Sequence, residues 1–112
     1  MGTQGLGDLE QLALLAVLRL GPDAYAVSVR DEIERRTGRI ISRGAIYVTL
    51  DRMERKGYLR SALSDPTPER GGKAKRQFSV ESQGMAVLQA SLQSITGMLE
   101  GLATDIRWNP GK

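Results

Sequence analysis

The sequence predicts a mainly α chain with one small β-hairpin, and three observations carry that expectation. Apolar residues recur at helical spacing in four stretches, each closed by Gly, Gly-Pro or Asn-Pro-Gly. Between the third and fourth stretches the period changes to two over two short runs. The segment joining those runs, 65–75, is too rich in Pro, Gly and charge to be regular.

Asp8 is placed to cap a first helix running to Leu20, where Gly21-Pro22 stops it. Leu12, Leu14, Leu15, Val17 and Leu18 cover more than one side of that helix, so it is expected to pack against two neighbours. Its outer side near Leu14, Leu15 and Leu18 is the expected docking surface for a partner chain. The second helix, from about Ala26 to Thr37, offers Val29 and Ile33 as a narrow apolar face among charged residues and ends at Gly38.

Ser42 caps a third helix that extends to about Lys56 and is stopped by Gly57. At 100° per residue, Ile46, Leu50 and Met53 share one face. Gly44, Val48, Asp51 and Arg55 fall opposite, flanked by Tyr47 and Arg52. Strands then follow at Tyr58 to Leu63 and at Arg76 to Val80, with Leu59, Ser61 and Leu63 on one side of the first.

Ser82 is placed to cap a last helix reaching about Arg107. Its Leu88, Leu92, Ile95, Leu99, Leu102 and Ile106 are spaced 4, 3, 4, 3, 4, the repeat of a coiled-coil seam. A helix of that length, roughly 39 Å, is too long for the preceding part of the chain to cover, so a second copy is expected on it. Gly97 and Gly101 each cost about 1 kcal/mol relative to Ala. Close packing on their face, with the first helix as candidate, would account for them.

Composition narrows the chemistry. The 112 residues are about one domain by length and contain neither Cys nor His. Disulfides, thiolate metal sites and the commonest general base are therefore excluded, no metal or cofactor is expected, and the chain does not read as an enzyme. Charge is uneven: from Arg39 to Arg76 ten Arg or Lys face four Asp or Glu, net +6, and the remainder is net −3. A basic middle between acidic flanks points to a polyanionic partner. No stretch approaches the roughly 18 consecutive apolar residues that span a membrane, and the amino terminus lacks the pattern of a secretion signal. A soluble cytoplasmic protein is the expectation.

Three helices followed by a hairpin with a basic tip form the order of a winged helix-turn-helix, in which the third helix enters the major groove and the hairpin reaches the flanking backbone. The expected division is 1–81 for the DNA-binding part, 82–107 for a long dimerisation helix and 108–112 for a tail. Arg43 and Arg52 are candidates for guanine edges or phosphate, and Val48 for a thymine methyl. Gly44 leaves the backbone bare on the exposed face, Tyr47 serves either a phosphate or the core, and Ser42 either caps or donates to a phosphate. Arg70, Lys73, Lys75 and Arg76 are candidates for phosphate or minor-groove contact, with Gly71 and Gly72 freeing the tip to follow a groove. A winged helix that meets only proteins is the alternative, against which the basic third helix argues.

Tyr25 after the Gly-Pro turn, the run from Ser42 through Gly44-Ala45-Ile46-Tyr47 to Gly57, the run from Arg70 to Phe78 and a glycine early in the last helix resemble the PadR family of bacterial transcriptional regulators. The resemblance covers nearly the whole chain. It implies a repressor that binds double-stranded DNA and forms a homodimer through its carboxy-terminal helix, single in the short members. Some short members bind flat aromatic compounds between subunits. A small aromatic effector is thus implied, although Trp108 itself reads first as a packing residue at the helix end. Ala26 stands where the family has Gly, Glu81-Ser82-Gln83 where it has a Thr-Pro pair, and Phe78 where it has Tyr.

Overall fold

The computed structural model describes residues 5–63 and 75–102. Helix α1 (Asp8–Leu20) starts one residue earlier in register than its sequence suggests. Gly7, not Asp8, is the N-cap, and Glu10 reaches back so that its Oε1 accepts the Gly7 N–H at 2.9 Å. The carboxylate satisfies a backbone donor that the helix itself leaves open. A 3-10 turn, Gly21–Asp23, reverses the chain into α2 (Ala26–Thr37).

Helix α3 (Arg43–Arg55) is capped as expected, with Ser42 Oγ accepting from Ala45 N at 3.0 Å. It closes in a Schellman turn: Gly57, at φ +85°, lets Tyr58 N bond Met53 O and Gly57 N bond Glu54 O. That turn delivers the chain directly into β1 (Leu59–Leu63), which pairs antiparallel with β2 (Arg76–Val80). Ser61 lies opposite Phe78 and Leu63 opposite Arg76. The far edge of β2 is held by Phe78 N bonding Ala24 O at 2.8 Å, so the hairpin is fastened to the turn after α1.

The core gathers Leu14, Val29, Ile33, Ile46, Leu50, Met53, Leu59, Phe78 and Leu88. As its two-sided pattern requires, α1 contacts α2, α3, β2 and the last helix. Leu14 is fully buried beneath α1 and Leu88 is 2% exposed. Both belong to this core, so neither can take part in the partner surface expected of them.

Helix α4 (Ser82–Leu99) differs at both ends from its sequence reading. Glu81 is the N-cap and Ser82 lies inside the helix, with no side-chain cap bond. The helix ends at Leu99 rather than near Arg107, because Gly101 turns to φ +80° and Leu102 N bonds back to Leu99 O. Ile106 and Trp108 lie outside the described residues. Among the described residues a Cβ on Gly97 or Gly101 would meet nothing within 4 Å, so the close packing expected there is not found among them. The close approach is instead at Gly84, where a Cβ would stand 2.3 Å from Tyr58 O.

Candidate nucleic-acid interface

One side of α3 is anchored by Ile46, Thr49, Leu50 and Met53, which are buried. The other side is left open over its first two turns. Ser42, Arg43, Gly44 and Ala45 are exposed, as are Tyr47 at 41% and Val48 at 53%. The pattern of apolar residues thus separates a core face from a bare face, and the bare face carries an arginine, a glycine, a phenol and a β-branched side chain. Among the described residues Arg43 and Arg55 have no acidic partner.

The carboxy-terminal half of α3 is tied down. Lys56 Nζ bonds Glu10 Oε2 at 3.2 Å and Arg52 Nη1 stands 3.9 Å from the same oxygen. Arg52, a candidate for base or phosphate contact, therefore leans toward the start of α1. Burial pushes the Glu10 carboxyl up, but the Gly7 N–H and the charges of Lys56 and Arg52 outweigh it and hold it below the usual range.

Arg76 is not a free cation for phosphate, because its guanidinium is engaged within the protein. Nη1 bonds Asp51 Oδ1 at 3.0 Å, Nη2 bonds Glu54 Oε1 at 2.5 Å, and the group lies 4.9 Å from the Phe78 ring centre. Burial disfavours its charge, yet the bonds to Asp51 and Glu54 raise its pKa further. The signal was present in the sequence: Arg76 shares the inward parity of Phe78 and Val80.

Lys75, on the opposite parity, is exposed with its Nζ 5.7 Å from the Tyr25 ring centre. Tyr47 and Lys75 meet at a notch of about 120 Å³ that Tyr25, Ala26 and Val27 also line. Tyr25 is a candidate that helical and strand periodicity could not single out, since it stands between elements. Arg70, Gly71, Gly72 and Lys73 lie outside the described residues. Among the described residues no three acidic, His or Cys side chains come together to hold a metal.

Two further surfaces flank this interface. Leu92, Ile95, Met98 and Leu102 are exposed along and just beyond α4, with Leu99 half-buried. Leu15 is half-buried and Leu18 exposed on α1, and Leu15 lines a groove of about 250 Å³ between α1 and α2. At its edge Glu32, 7% exposed, accepts from Arg36 at 2.7 Å, from Arg35, and from Arg19 at 3.1 Å. These donors, Arg36 first, lower its pKa to about 2.

Residues 14–90 match the family described as "Transcriptional regulator PadR-like family". The chain belongs to the PadR-like family of transcriptional regulators. No curated protein matches it in sequence. Among solved structures, a transcriptional regulator from Clostridium thermocellum superposes with a TM-score of 0.68 at 14% identity, over 88% of this chain and 93% of that one. A PadR-like regulator from Bacillus cereus gives 0.60 at 18%, over 84% and 93%, and a PadR-like transcription factor from Bacteroides fragilis gives 0.62 at 20%, over 85% and 89%. The three helices and the antiparallel hairpin are accordingly the winged-helix DNA-binding fold of PadR-like proteins, followed by α4. Members of the family are regulators of transcription rather than enzymes. Among the described residues no helix is long and apolar enough to cross a membrane.

Proposed function

We propose that this PadR-like protein is a cytoplasmic repressor that binds a palindromic operator in duplex DNA as a homodimer. The observation that carries the reading is the open amino-terminal half of α3, where Arg43, Gly44, Ala45, Tyr47 and Val48 are exposed and Arg43 has no acidic partner among the described residues. A helix presented this way enters the major groove end-on, with Arg43 at a guanine edge or phosphate and Val48 at a thymine methyl. Tyr47, Lys75 and the basic residues of the hairpin tip then meet the backbone, which positions the protein without reading sequence.

Dimerisation is supported by the apolar row on α4. Leu92, Ile95, Leu99 and Leu102, with Leu15 and Leu18 of α1, form the seam in this reading, and the segment from Ser82 onward pairs two copies. A two-fold dimer presents two α3 helices to half-sites one helical turn apart, about 34–36 Å. Occupying such a site at a promoter blocks it.

Selection of bound duplexes from a random pool tests the proposal, and a palindrome is the expected product. On that operator Arg43→Ala should cost about 1–3 kcal/mol and spare mixed-sequence DNA. Lys73→Ala should weaken both and flatten the salt slope by about one unit. A pool that yields no preferred sequence, or equal losses in the two variants, would refute it.

A further inference from the structure

Helix α3 brings an electrostatic problem to the DNA-facing side of the protein. Asp51 follows Val48 by three residues and precedes Arg55 by four, so it belongs to the exposed face. Glu54 is three residues further along, and both carboxylates are only partly buried. Carboxylates so placed repel phosphate, and repulsion at a recognition helix falls where a regulator needs attraction.

The base of the wing supplies the answer. The register Leu63 opposite Arg76 and Ser61 opposite Phe78 puts Arg76 on the inner side of the hairpin, where it spans both acids. Ser61 completes the assembly: its hydroxyl donates to Glu54 at 2.9 Å and accepts from Arg76 Nε at 3.4 Å. One guanidinium thus joins α3, β1 and β2, and the Phe78 ring supports it from the core. Planar, always charged and forked, an arginine can serve two carboxylates at once, which a lysine cannot do with the same geometry.

We infer that Arg76 is a positioning residue for DNA binding: it cancels Asp51 and Glu54 and holds the wing against the recognition helix, rather than touching the nucleic acid. This rests on the duplex-binding reading above. It goes beyond that reading in assigning one of the cations of the basic stretch to the protein's own acids. The wing's approach to DNA is then set from its base, by side chains of α3.

The test compares wild type, Arg76→Gln, and the triple variant Asp51→Asn, Glu54→Gln, Arg76→Gln on the selected operator over a range of salt. The triple variant replaces both carboxylates by amides of the same shape, so that no uncompensated charge remains on α3. Arg76→Gln alone should weaken binding about tenfold. The triple variant should return to within about threefold of wild type with an unchanged salt slope, since no phosphate contact has been lost. A loss that persists in the triple variant, with a slope lower by about 0.9, means that Arg76 meets phosphate and overturns the inference.

An unaffected Arg76→Gln overturns it as well. Thermal unfolding without DNA provides a second measurement, because a double-mutant cycle between Arg76 and Glu54 should show coupling. Its absence refutes the clamp. If wild type binds neither the operator nor a mixed-sequence duplex, the DNA reading itself fails together with this role. Normal binding by wild type and unchanged binding by Arg76→Gln removes this role alone.

Discussion

Replacing Gly84 by Ala adds one methyl group where α4 leaves the wing. The new carbon would lie 2.3 Å from Tyr58 O, 3.0 Å from Tyr58 C and 3.1 Å from Val80 Cγ1. Carbon and oxygen approach to about 3.3 Å in close contacts, so α4 must retreat by about 1 Å. Two of the three obstacles are backbone atoms, which no rotamer change can clear. The retreat also strains the bond from Glu81 N to Tyr58 O, now 2.9 Å. Overpacking costs about 1–3 kcal/mol and a weakened hydrogen bond about 1, against about 1 gained from alanine's helix propensity. The net loss is about 1–3 kcal/mol, which lowers the midpoint of thermal unfolding by roughly 5–20 °C for a domain of this size. Gly97→Ala is the control: its methyl meets open space, so the same helix should gain up to about 1 kcal/mol. Both are read at one protein concentration, since association shifts the midpoint. A Gly84→Ala protein that unfolds at or above the wild-type temperature would show that α4 does not seat on Tyr58 as described.

Ser42→Ala removes the oxygen that accepts Ala45 N and should cost about 1 kcal/mol in denaturant unfolding; no change would mean that the cap is idle. Glu32 has its pKa lowered to about 2 by Arg36, Arg35 and Arg19, so its stabilising effect is fully present above the unfolded value of about 4.3 and is lost as pH falls toward 2. Wild type should therefore lose its stability advantage over Glu32→Gln across that interval, and a difference independent of pH would refute the arginine cluster. Leu92→Asp places a charge on the exposed row of α4 and should give a monomer in sedimentation velocity with weak operator binding; an unchanged dimer would remove Leu92 from the seam.

Where the sequence carried a strong period, it located the elements. Val29 and Ile33 marked the inner face of α2, Ile46, Leu50 and Met53 that of α3, and both faces are buried as expected. Capping chemistry was less legible. Asp8 and Ser82 have the right composition to cap, yet Gly7 and Glu81 hold those positions, because a cap is defined by backbone angles that several neighbouring residues could adopt. The repeat in the last helix misassigned Leu88 for a related reason. Periodicity reports a shared face but not what covers it: Leu88 lies on that face and is covered by its own domain, whereas Leu92 and Ile95 are not. Leu14 is the same case on α1, whose apolar residues surround the helix and give no sign of which side turns inward. Glu10 and Tyr25 act through residues distant in sequence, as in the pairing of Glu10 with Lys56, and no spacing rule announces such partners; Glu32 meets Arg35 and Arg36 at helical spacing and only Arg19 from afar.

The charge that selects a polyanionic partner is redistributed by folding. The acidic remainder does not stay apart from the basic middle: Asp8 and Glu10 come from before it and Glu81 from after it, and they meet Arg39, Lys56 and Arg60. These pairs are not equivalent. Arg39 with Asp8 and Arg60 with Glu81 lie at the surface, where an ion pair contributes about 0.2–1 kcal/mol, so a phosphate can draw either cation away at little cost. Arg76 answers to two carboxylates and a hydroxyl, and withdrawing it would leave both acids uncompensated on α3. A count of basic residues therefore overstates the number of fixed phosphate contacts, and proximity to the hairpin is a poor guide to which residues make them. The better criterion is what each cation leaves behind when it turns to the nucleic acid. By that measure Arg43 leaves nothing among the described residues, Arg39 and Arg60 leave a solvated carboxylate, and Arg76 leaves an uncompensated pair.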